Sequence, residues 1–136
     1  MAGIMSGGCA CGAIRYECSG EPVLMVNCHC RDCQRANGSA YAAFLIVRKA
    51  GVRIDGEPRY HTVRGKAGRA VERGFCADCG SQVVARLEKF PDLFGLQAGG
   101  LDDPSIYRPT VEVFTASAQP WDHMNPEIKK HPEGMG

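Results

Sequence analysis

The stretch Ala70-Val71-Glu72-Arg73-Gly74-Phe75-Cys76-Ala77-Asp78-Cys79-Gly80-Ser81-Gln82-Val83-Val84-Ala85-Arg86-Leu87 reads as a β-hairpin with a metal knuckle at its tip. Ala70 to Phe75 leads into the cysteine pair and Gln82 to Leu87 leads out of it. Two residues between Cys76 and Cys79 let the chain curl around one ion, and Gly80 accepts the positive φ that such a turn needs. Cys9-Ala10-Cys11-Gly12 supplies a second pair. On an extended segment residues i and i+2 point to one face, so both of its sulfurs can reach the same ion. Cys9, Cys11, Cys76 and Cys79 are therefore expected to form one closed, structural zinc site. Single buried cysteines are common, but four arranged as two spaced pairs are not explained that way.

Seven of the eight cysteines fall into clusters of two, three and two, and the middle cluster is Cys28-His29-Cys30-Arg31-Asp32-Cys33. A closed structural zinc takes four protein ligands, whereas a reactive one keeps three and an open position. The triplet Cys28, Cys30 and Cys33 is thus the candidate open site. Its fourth ligand is undecided among Cys18, His29, His61 and water. Cys18 alternates with Ile14 and Tyr16 as an ordinary core residue does, and His29 on an extended chain points away from its two neighbours. Three thiolates on Zn²⁺ leave a net negative charge, so water activation is poorly served. A further thiolate suits such a sulfur-rich ion better, and binding deprotonates a thiol whose free pKa is about 8.5. That chemistry points to a sulfur nucleophile directed at a small carbonyl carbon.

The rest of the chain reads as mostly β. Ile14, Tyr16 and Cys18 alternate with Arg15 and Glu17 in a strand with one buried face. Residues 22–27 and 41–47 are short apolar runs, and 48–56 reads as a turn and a further strand. Two more strands are expected within 93–101 and 106–115, separated by the turn signal Asp102-Asp103-Pro104-Ser105. The one helical turn near the chemistry runs from Arg31 to about Asn37 and stops at Asn37-Gly38. The tail 125–136 reads as extended and partly mobile.

At 136 residues and a net charge of +1, a single domain is expected, with no stretch approaching a membrane span. No secretory signal is visible, and a cytoplasmic, reducing location is expected, where clustered cysteines are metal ligands or catalytic thiols. Residues 48–73 carry eight Lys or Arg and three acids, a local basic patch read as a solvated hairpin.

Gly8-Cys9-Ala10-Cys11-Gly12-Ala13-Ile14-Arg15-Tyr16, the run from Cys28 to Ser39, Phe75-Cys76-Ala77-Asp78-Cys79-Gly80-Ser81 and the late Trp121 together resemble the glutathione-dependent formaldehyde-activating enzyme family, also called the centromere protein V domain. The resemblance covers about residues 7–121, with 122–136 as a C-terminal extension packed on or trailing the domain. It implies an Mss4-like zinc-binding β-fold, a structural zinc on Cys9, Cys11, Cys76 and Cys79, and a second zinc on Cys28, Cys30 and Cys33. It also implies a carbon-sulfur lyase activity, the condensation of formaldehyde with glutathione to S-(hydroxymethyl)glutathione. Where many members carry His after the late Pro, this chain has Pro109-Thr110-Val111-Glu112, and Glu112 is expected to be an exposed strand residue.

A glutathione site needs partners for two carboxylates. Arg31 and Arg35 flank the triplet and are the candidate contacts, with Arg64, Lys66, Arg69 and Arg73 farther along the chain. Two other classes compete with the enzyme. One is a zinc-stabilised binding module, motivated by the basic patch; nucleic acid is disfavoured because Tyr60 is the patch's one interior aromatic. The other is a thiol-based metal or redox sensor built on the triplet.

Overall fold

The structure, a computed structural model, describes residues 3–65 and 68–135. Eleven strands and one short helix are defined among them: β1 (Ile4–Gly8), β2 (Arg15–Ser19), β3 (Leu24–Cys28), α1 (Arg31–Asn37), β4 (Ala42–Arg48), β5 (Val52–Asp55), β6 (Arg59–Arg64), β7 (Ala70–Phe75), β8 (Gln82–Leu87), β9 (Leu93–Gln97), β10 (Val111–Val113) and β11 (Lys129–Lys130). They form a three-stranded sheet in the order β1-β2-β5 and an eight-stranded sheet in the order β11-β10-β3-β4-β9-β8-β7-β6. This is the mostly-β, single-domain fold that the periodicities predict.

Alternation along the strands divides the buried side chains between the two faces of the large sheet. Leu45 and Val47 of β4 join Leu96 and Phe94 of β9 in a core shared with Ile14, Tyr16 and Cys18 of the small sheet. Their neighbours Ala42 and Phe44 point the other way, into a second core with Val26, Ala85, Val111, Val113 and Cys33 of α1. A register shift at Gly74/Phe75 leaves one extra residue on β8, and consecutive Val83 and Val84 both pack into the first core.

Several sequence expectations are corrected. The basic segment is not one hairpin: β5 pairs with β2 in the small sheet, whereas β6 pairs with β7 in the large one. The expected strand over 106–115 is reduced to Val111–Val113, preceded by a 3-10 turn at Pro104–Ile106. Pro109 has no N–H to place in a ladder, and Thr110 instead donates its backbone N–H to the Met25 carbonyl. Residues 129–130, in the segment expected to be extended and partly mobile, form edge strand β11, parallel to β10. Backbone N–H groups of Phe114, Thr115 and Ala116 donate to the carbonyls of Glu133, His131 and Pro132.

Glu112 is the largest correction. It is 1% exposed, not a surface residue, because it sits mid-strand on β10 between β3 and β11. Its Oε1 lies 2.8 Å from His29 Nε2 and accepts from Asn27 Nδ2 at 3.2 Å. His29 Nδ1 faces Asp122 Oδ2 at 2.6 Å, and Lys130 Nζ stands 3.8 Å from Glu112 Oε2. One buried polar network thus ties the residue between two triplet cysteines to β10 and to the C-terminal segment. Glu112→Ala is expected to cost about 3–5 kcal/mol in denaturant unfolding at saturating zinc, the range for removing one partner of a buried pair; a loss below about 1 kcal/mol would contradict the network's structural weight.

Candidate metal centres

The first centre is built from two knuckles of the same design. In one, Gly12 (φ 82°) follows Cys9-Ala10-Cys11; in the other, Gly80 (φ 79°) follows Cys76-Ala77-Asp78-Cys79. Each glycine N–H returns to the carbonyl of its knuckle's first cysteine, Gly12 to Cys9 at 3.2 Å and Gly80 to Cys76 at 2.7 Å. A side chain at either φ would be strained. The four sulfurs lie within 4.8 Å of one another, with Cys9–Cys11 and Cys11–Cys76 both at 3.7 Å. A tetrahedral zinc with bonds of about 2.3 Å has sulfur–sulfur edges of about 3.8 Å, so the donor set fits that ion.

The surrounding hydrogen bonds suit thiolates. The backbone N–H of Ile14 donates to Cys9 Sγ at 3.2 Å and holds that thiol below its ordinary pKa. Ser81 Oγ accepts from the Ala10 N–H at 3.0 Å and sits 3.3 Å from Cys79 Sγ, so one hydroxyl bridges the two knuckles. Ser81, through its side chain and then its backbone, pulls the Cys79 thiol down to about 5.

The second centre forms where β3 turns into α1. Strand alternation sends Cys28 and Cys30 to the second core and His29, fully buried, to the opposite side against Asn27 and Glu112. Cys30 is the helix N-cap, its sulfur accepting the Cys33 N–H at 3.3 Å, and Gly38 ends the helix at φ 63° with its N–H on the Gln34 carbonyl. That turn brings Cys33 back over Cys28 and Cys30. All three sulfurs lie within 4.8 Å of one another. Hydrogen bonds from Cys28 and then Cys33 draw the Cys30 thiol well below its ordinary pKa, and the bonds to Cys30 and Cys33 push Cys28 up.

The donor chemistry again fits zinc, with three sulfurs close enough to share one ion. Among the described residues no fourth Cys, His, Asp or Glu joins them. Cys18 is buried in the first core, and His61 lies exposed on β6. Buried Gln34 braces the loop, donating from Nε2 to the His29 carbonyl at 2.7 Å and to the Ser117 carbonyl at 2.9 Å.

Of the arginines singled out from sequence, Arg31 is exposed and its guanidinium donates to Gln34 Oε1, while Arg35 is exposed on the last turn of α1. Arg64 and Arg69 are also exposed, and Lys66 lies outside the described residues. The cation that reaches the triplet is Arg73: its Nη2 donates to Cys33 Sγ at 3.3 Å. Its signal was present in the sequence, since Arg73 interrupts an otherwise apolar alternation of Val71 and Phe75. Glu112 and Asp122 had no local signal, because their partner His29 is more than 80 residues away. A cleft of about 580 Å³ opens beside the four-cysteine knuckles, with Cys9, Arg15, Asn37, Ser81, Gln97 and Asp102 on its walls; no triplet cysteine lines it.

The sequence model of the glutathione-dependent formaldehyde-activating enzyme matches residues 4–117. The chain belongs to that family. The fold is also similar to the crystal structure of a Rhodobacter sphaeroides protein solved as a structural genomics target, with a TM-score of 0.55 and 18% identity over 93% of this chain and 99% of that one. In this family member, Cys76→Ser is expected to abolish cooperative zinc-dependent folding, whereas Cys28→Ser keeps native circular dichroism. Comparable losses from both substitutions would refute the division into a scaffold centre and a separate open one.

Proposed function

We propose that this protein binds a small thiol such as glutathione at the Cys28/Cys30/Cys33 centre and promotes its reversible addition to formaldehyde or a similar small aldehyde, a carbon-sulfur lyase type of reaction. The observation that carries this reading is a three-sulfur cluster with no fourth protein ligand among the described residues. Membership of the family supports glutathione and formaldehyde as the pair. Zinc bound there supplies a template that favours the deprotonated form of an incoming thiol.

The chain's own residues define the rest. Cys28, Cys30 and Cys33 would hold the ion, and the substrate sulfur would complete its donor set. His29 and Gln34 fix the loop backbone from beneath, so the three sulfurs are oriented before substrate arrives. The substrate sulfur contributes the electron pair of the new C–S bond, and the carbonyl π pair moves onto oxygen. That oxygen takes up a proton from solvent, matching the one the thiol gave up.

In this reading Arg31 and Arg35, exposed on the helix that carries Cys33, attract the carboxylates of glutathione from the solvent side. No helix among the described residues is long and apolar enough to cross a membrane. A cytoplasmic site of action is part of the proposal.

Thiols add to formaldehyde unaided, so the measurement is the excess over the spontaneous rate. Wild-type protein is expected to give a saturable, zinc-dependent excess, and Cys30→Ser to remove most of it. Full excess rate in Cys30→Ser would overturn the triplet's role.

A further inference from the structure

Arg73 is a guanidinium held in an apolar place. It is 7% exposed and lies on β7, where the register sets it opposite Ala85 of β8, which in turn lies opposite Gly95 of β9. Directly paired residues of adjacent strands share a face, so this row runs Arg73, Ala85, Gly95 across the side of the sheet that α1 covers. The Phe44 ring covers Gly95, and the Arg73 guanidinium meets Cys33 Sγ at 3.3 Å. On the other side of Arg73, the row continues to His61 on the edge strand β6. Burying a charge without a partner is expensive, and an arginine remains charged in a protein interior. Arg73 therefore needs an anion, and the group it meets is a triplet sulfur.

We propose that Arg73 is the counter-charge and positioning residue of the three-cysteine centre: its N–H bond holds Cys33 Sγ and offsets the negative charge of three thiolates on a divalent ion. This rests on the triplet being a metal centre, as argued above, and adds a determinant of what binds there. Three thiolates and Zn²⁺ sum to −1, and Arg73 brings the centre to neutrality. An incoming thiolate then raises the charge to −1 in place of −2. Arg73 thereby favours an anionic sulfur ligand over a neutral one at the fourth position, acting through its bond to Cys33 Sγ.

The test uses full-length protein loaded with cobalt, whose sulfur-to-metal absorption reports the number of thiolates, titrated with 2-mercaptoethanol and separately with imidazole. Arg73→Met keeps the stem and removes the charge; Arg73→Lys restores charge without the planar fork. Arg73→Met is expected to retain the four-cysteine ion, bind the second ion roughly 10- to 100-fold more weakly, and lose preference for the thiol over imidazole. Arg73→Lys should recover part of that preference. Both variants matching wild type in second-ion affinity and ligand preference would overturn the proposal.

Loss of the triplet reading itself is separately visible, since Cys28→Ser would then hold as many ions as wild type. Should Arg73→Met fail to fold, nuclear magnetic resonance of the wild type decides. The Arg73 guanidinium protons should exchange slowly with solvent and shift when the second ion binds. Fast exchange and an unchanged shift would overturn the assignment.

Discussion

Cys11 and Cys76 are 65 residues apart in the chain, and their sulfurs lie 3.7 Å from each other. The rest of the fold depends on that closure. The first knuckle sits between β1 and β2 of the small sheet, and the second joins β7 to β8 in the large one. Bringing the knuckles together stacks Ile14, Tyr16 and Cys18 over Leu45, Val84 and Leu96, so the principal core forms between sheets already pinned at one end. An ion bound there would make metal binding and burial one event, since its binding free energy would be folding free energy. The Arg15–Asp102 ion pair adds a surface tie between β2 and the turn after β9, and it holds the Asp102 carboxyl down to about 2.

With one face of the large sheet committed to that core, the other is free to carry the second centre. Strand period does the sorting. Cys28 and Cys30 fall on the α1 side while His29 falls on the other, into a buried network with Glu112 and Asp122. A single stretch of backbone thus presents two sulfurs on one side and is anchored by a buried polar network on the other. The helix turn returns Cys33 to complete the cluster, and Arg73 arrives from four strands away in the sheet order to donate to Cys33 Sγ. The three-cysteine loop is held by contacts from β7, β10 and the C-terminal segment, and among the described residues none of these supplies a fourth donor.

The features legible in the sequence are those encoded locally. Knuckle spacing with its following glycine, the alternation of β2, the Asn37-Gly38 helix stop and the grouping of seven cysteines each occupy a few consecutive residues. What escaped depends on pairing partners distant in the chain. Glu112 looks like a surface acid until β3 and β11 flank it; β11 itself is two lysines that gain strand character only by docking on β10. Gly7 and Gly8 hide the alternation of β1, and the polar edge strand β6 has no continuous apolar face to show. Arg31 and Arg35 were near the triplet in sequence, but on a helix with Cys33 buried they point outward. The arginine that meets the sulfur follows it by 40 residues.

The central claim is one closed four-sulfur centre and one open three-sulfur centre in a single fold. An anomalous-scattering map at the zinc edge, from crystals grown with zinc and no added thiol, addresses it directly. The account predicts two peaks, one within bonding distance of Cys9, Cys11, Cys76 and Cys79, and one bound by Cys28, Cys30 and Cys33 with a solvent ligand completing it. A single peak, or a fourth protein side chain on the second ion, would contradict it.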